Sequence, residues 1–125
     1  MAHLLLVCLG GAVGSGLRYL TALLAVRLYG DGFPYGTLAV NLVGCFLIGF
    51  VNRIAAASVI SEDMRLLLST GVLGGLTTYS AFSYESVRMV QLGDWRGAVL
   101  NIGVTTVISL VLCVAGMLAG ARLER

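Results

Sequence analysis

Four apolar runs, each long enough to cross a bilayer, are joined by links too short to form a domain of their own, and this pattern governs the whole 125-residue chain. A helix needs about 20 apolar residues to span hydrocarbon. The runs cover 4–28, 36–57, 64–90 and 98–121, so the sequence predicts one all-α integral membrane domain, residues 1–125, with four transmembrane helices. Hydrophobic residues make up 58% of the chain and charged residues only 11%. A soluble domain of this size has too little interior to hide that much apolar side chain. The links carry turn chemistry: 29–34 holds the only proline, 58–63 is polar, and 92–97 contains two glycines and an aspartate. Tyr29, Tyr35 and Trp95 fall at the expected interfaces, where amphipathic rings are at home. No charged leader precedes the first run, which therefore reads as a retained span rather than a cleaved signal.

Several function classes drop out on the same grounds. A net charge of +2 is too small to imply a nucleic-acid partner. Cys8, Cys45 and Cys113 lie in separate runs without ligand spacing and read as small buried hydrophobes. There is no nucleophile with a matched base, no metal-ligand cluster and no phosphate loop, so no enzyme is expected. With four spans, Arg53, Arg65, Arg122 and Arg125 lie on one side of the membrane and Arg27, Arg88 and Arg96 on the other. Cationic flanks set orientation, and four against three is close to balance. Either the chain inserts in both orientations, which permits an antiparallel homodimer, or the span boundaries shift and one side wins. Glycine pairs at i, i+4 (Gly10 with Gly14, Gly71 with Gly75, Gly116 with Gly120) offer close helix contacts.

The third run holds the most unusual stretch, T-G-V-L-G-G-L-T-T-Y-S-A-F from Thr70 to Phe82. Its glycines weaken a helix, and Thr77, Thr78 and Ser80 offer hydroxyls to any carbonyl a break releases. Irregular backbone inside a membrane survives only within protein or beside a wet path, so this helix is expected to break mid-membrane at a functional point. Polar residues elsewhere suggest what meets it. Asn41 needs partners in the second span, either across a helix interface or along a wet path, with Thr37 four residues earlier on the same face. Asn101, Thr105 and Ser109 recur every fourth position, either as a hydrophilic track or as packing contacts. Tyr79 and Phe82 either pack or turn electropositive ring edges toward an anion path. Arg18, well inside the first span, either snorkels or faces a vestibule that attracts anions. Glu85 reads as a structural partner of Arg88, three residues on.

Three motifs together resemble the Fluc/CrcB family of small fluoride channels: G-G-A-V-G-S-G-L-R-Y at Gly10 to Tyr19, G-T-L-A-V-N-L-V-G at Gly36 to Gly44, and G-V-L-G-G-L-T-T-Y-S-A-F-S at Gly71 to Ser83. The resemblance covers nearly the whole chain. It implies an antiparallel, dual-topology dimer of four-helix subunits in the bacterial plasma or inner membrane. Two fluoride pores and a structural sodium ion between the third-span breaks are implied with it. Carried over by position, Asn41 is the pore-lining asparagine, Thr37 its neighbour, and Phe82 the second of two box phenylalanines. Tyr79 stands where the family usually has the first. Asn101, Thr105 and Ser109 match the polar track, with Asn101 replacing a frequent tyrosine. Arg18 matches a basic vestibule position, and Gly74 and Thr77 match the backbone carbonyls that hold sodium.

Two other classes fit the residues less well. A small multidrug-resistance transporter needs a carboxylate in its first span, and 4–28 contains none. A membrane scaffold would explain the glycines and leave the polar track idle.

Overall fold

The computed structural model describes residues 1–124. The chain is helical with short turns: α1 (Ala2–Tyr29), α2 (Tyr35–Ala56), α3 (Glu62–Arg65), a π-helical segment (Leu66–Leu73), α4 (Gly74–Leu76), α5 (Tyr79–Gln91) and α6 (Trp95–Ala121), ending in a short 3-10 turn. α1, α2 and α6 are each long and apolar enough to cross a membrane. Between α2 and α6 the helical stretch is interrupted at Thr77 and Thr78. Caps explain the starts. The Ser61 hydroxyl accepts from the N–H of Met64 at 3.2 Å, and the Asp94 carboxylate accepts from that of Gly97 at 2.8 Å. Glycine closes two helices in the left-handed region, Gly30 at φ 76° after α1 and Gly93 at φ 84° after α5. Beside the Ser61 cap, the Arg65 guanidinium bonds the exposed Glu62 carboxylate and holds it below its ordinary pKa.

The third stretch is not built as the glycine content suggests. Its helix widens to π geometry from Leu66, before the first glycine of the motif, and Gly74 keeps ordinary right-handed angles. The two extended residues are threonines: Thr77 has ψ 153° and Thr78 φ −152°, ψ 114°. The glycines serve packing instead. A Cβ on Gly10 would lie 2.6 Å from the Leu67 carbonyl oxygen and 2.9 Å from Cα of Gly71, and one on Gly75 would lie 3.0 Å from the Ser15 nitrogen. Helices in lipid gain little from burying apolar surface against each other, so this backbone proximity is what holds them. The extended threonines let the chain change partner: the π segment and α4 pack on α1, whereas α5 packs on α6. α2 runs along α6, and Val40, Val51, Leu73 and Leu76 form the central apolar cluster.

Candidate functional site

The turn between α4 and α5 is held by one side chain. Asn41 of α2 is buried, and its Oδ1 accepts from the Thr78 N–H at 2.8 Å while its Nδ2 donates to the Thr78 carbonyl at 3.1 Å. The carboxamide thus pairs with an extended residue as a neighbouring strand would. Of the two readings open for Asn41, the interhelical bond is present, and one N–H of its amide is still uncommitted. Thr78 also caps α5, its Oγ1 accepting from the Ala81 N–H at 3.2 Å. The N–H groups of Tyr79 and Ser80 then stand at the positive end of the α5 dipole.

The same clamp frees oxygen atoms. In a continuous helix Thr78 would donate to Gly74 and Ala81 to Thr77; here those two N–H groups go to Asn41 and to the Thr78 hydroxyl. Neither carbonyl accepts a hydrogen bond among the described residues. The Thr77 hydroxyl itself donates back to the Leu73 carbonyl at 2.9 Å. Uncommitted backbone oxygens suit a hard cation such as sodium, which takes oxygen donors. Among the described residues no group of three His, Cys, Asp or Glu side chains offers another kind of metal site.

Beside the turn lies a pocket of about 350 Å³, lined by Asn41, Cys45, Thr77, Thr78, Tyr79, Phe82, Thr105, Thr106, Ser109 and Leu110. It brings together five of the seven residues expected on a path. The Tyr79 and Phe82 rings are 5.6 Å apart and tilted by 51°. Phe82 is buried, but Tyr79 is 80% exposed on the outer surface of the bundle. Oγ of Ser109, a residue of this wall, is buried without a hydrogen-bond partner. No acidic side chain lines this pocket. Thr106 belongs to the wall although the sequence drew no attention to it, and Cys45, read from the sequence as a small buried hydrophobe, is part-exposed there; their place beside Thr105 and at the i+4 step from Asn41 is the signal that could have found them.

The other two path residues are elsewhere. Asn101 is 1% exposed, off the pocket wall. Thr37 lines a second pocket of about 230 Å³ at the end of the bundle, under the turn that joins α1 and α2. There Oγ1 of Thr37 donates to Oε1 of Glu85 at 2.7 Å, while Oε2 is buried without a hydrogen bond. This replaces the Glu85–Arg88 pair suggested by spacing: Arg88 instead reaches the Tyr84 hydroxyl, at 3.4 Å. The i+3 spacing was misleading because α5 turns Glu85 inward toward α2 and leaves Arg88 exposed. Thr37→Val is expected to cost about 1–3 kcal/mol, since it leaves both oxygens of the half-buried carboxyl group unmatched, whereas Thr37→Ser stays near the parent. Thermal unfolding of the two variants in detergent checks the difference. Arg18 is half-buried on α1 and lines neither pocket.

A family profile described as "CrcB-like protein, Camphor Resistance (CrcB)" matches residues 5–117. The protein of Sorangium cellulosum named "Fluoride-specific ion channel FluC" is 45% identical over 116 residues, 92% of this chain and 91% of the relative. Proteins of the same name in Shewanella are similar at comparable length: strain W3-18-1 is 40% and strain ANA-3 is 42% identical, each over 98% of this chain and 96% of the relative. These relatives are named as ion channels rather than as enzymes. By the profile match, the full-length relatives and its membrane-length helices, the chain belongs to the CrcB-like family of multi-pass membrane proteins.

Proposed function

We propose that the chain forms a fluoride-selective channel that lets cytoplasmic fluoride leave passively, working as an antiparallel homodimer with two pores in the bacterial plasma or inner membrane. The observation that carries this reading is the acid-free pocket at the α4–α5 turn, with Ser109 holding an uncommitted proton in its wall. Fluoride is small and strongly hydrated, so a pore must replace water with compact donors. The Ser109 hydroxyl, the spare Asn41 N–H and the positive end of α5 are of that kind. The edges of Phe82 and Tyr79 add a weak positive rim that does not trap the ion. Thr37 lies beyond the pocket along α2, and Arg18 draws anions toward the mouth. Outward flow follows the inside-negative potential, worth about 2.3 kcal/mol per charge per 100 mV.

The exposed Tyr79 ring supports a second copy. Its hydroxyl, set at the interruption in the middle of a span, needs a partner that lipid cannot supply, and an antiparallel neighbour can cover it. Sodium fits the same face: the Gly74 and Thr77 carbonyls of each copy would hold it, and when bound the ion supplies positive charge that ties the two interruptions together.

Expression in bacteria lacking their own fluoride exporter tests the reading. The parent chain should restore growth at inhibitory fluoride. Ser109→Val, equally abundant in the membrane, should lose most of that protection. Growth no better than the empty vector with the parent chain would contradict the proposal.

A further inference from the structure

The polar stripe on α6 is not uniform. Thr105 and Ser109 line the pocket, whereas Asn101, one turn earlier, is enclosed between α5 and α6 and engaged at both ends of its carboxamide. Its Oδ1 accepts from Oγ1 of Thr105 at 3.5 Å, and its Nδ2 donates to Oγ of Ser86 at 2.9 Å. Ser86, also buried, donates its own proton to the Phe82 carbonyl at 2.7 Å. The three bonds form one relay from α6 to α5, with every donor pointing the same way. A hydroxyl has a single proton. The Thr105 hydroxyl directs its proton to Asn101 over a long 3.5 Å contact, while Oγ of Ser109 has no hydrogen-bond partner.

We infer that Asn101 and Ser86 are a positioning pair for anion passage: they fix the Phe82 turn of α5 against α6 and engage the Thr105 proton, leaving Ser109 as the stripe's donor. This deepens the channel reading above and rests on it. Asn101 then acts through its neighbours and does not touch the ion. The relay needs a group that donates at one end and accepts at the other, which the Asn101 carboxamide does.

The test separates positioning from plain structural support. Ser86→Ala strands the Asn101 donor in a buried site and should lower thermal stability. S86A/N101L replaces both partners with apolar groups, and a matched apolar pair restores much of the stability lost when one partner alone is removed. Fluoride efflux is read with an electrode from vesicles holding the monodisperse full-length chain, alongside its melting temperature. The expected result is efflux lowered at least about tenfold in S86A and still lowered in S86A/N101L, although melting recovers, because misplacement alone costs rates of that order. Ser86→Thr, which keeps the hydroxyl, should retain most of the parental efflux. Recovery of efflux together with melting in the double variant would overturn the inference and make the pair structural only. Parental efflux in S86A, or loss of efflux in a well-folded Ser86→Thr variant, would overturn it too. Vesicles of the unaltered chain that retain fluoride would instead bring down the channel reading, and the pair's role with it, before any substitution is compared.

Discussion

Asn41→Leu is expected to unseat the turn between α4 and α5, because it removes both partners of one extended residue. The Thr78 N–H and carbonyl would stay buried without hydrogen bonds, at about 1–3 kcal/mol each. A combined loss of about 2–6 kcal/mol is a large share of the roughly 5–15 kcal/mol that holds a typical fold. Little of the variant should purify as a monodisperse species, and what does should melt well below the parent. Asn41→Asp retains the acceptor for the Thr78 N–H and loses the donor, so its defect should be smaller. Thermal unfolding of the three proteins in one detergent gives the order directly. A leucine variant that melts with the parent would mean the clamp is not what holds the interruption. This matters for function as well: a transport defect in Asn41→Leu alone does not separate a lost ion donor from a lost turn, which is why Ser109 is the better probe of the path.

The second large effect is predicted at the crossing of α1 with the third stretch. A Cβ on Gly14 would collide with the Val72 carbonyl oxygen and lie 2.8 Å from the Leu76 nitrogen. These are backbone atoms of a neighbouring helix and cannot rotate away. Gly14→Ala should therefore destabilise by about 1–3 kcal/mol despite the helix propensity alanine brings. Gly16→Ala, on the same helix, meets nothing within 4 Å. It should be neutral or stabilising by up to about 1 kcal/mol. Melting temperatures of the two variants on opposite sides of the parent would support glycine packing as the force joining α1 to the π segment. Equal effects would contradict it.

The helices α1, α2 and α6 were legible because hydrocarbon demands long apolar helices, and run length alone reports that. The irregular third stretch was legible as a place but not as a form. Glycine content marked the region, yet the residues that leave the helix are Thr77 and Thr78, and the cause is Asn41, a side chain 37 positions away. No local pattern carries that. The same holds for Glu85, whose spacing to Arg88 was a local cue and whose bond to Thr37 depends on how α5 meets α2. On α6, Thr105 and Ser109 of the i+4 stripe share the pocket wall, but Asn101 faces α5 because the stripe winds around the helix away from the wall. Periodicity predicted neighbours on one helix well, and it said nothing of which neighbour another helix would cover.

The central claim is that fluoride crosses this protein without chemical coupling, through donors set beside the α4–α5 turn. Fluoride release from vesicles carrying only the purified chain, driven by a potassium-diffusion voltage and read by electrode, tests it most directly. The account predicts prompt fluoride release when the voltage is applied, with chloride retained under the same voltage. Fluoride held inside, from well-folded protein at the same voltage, would contradict it.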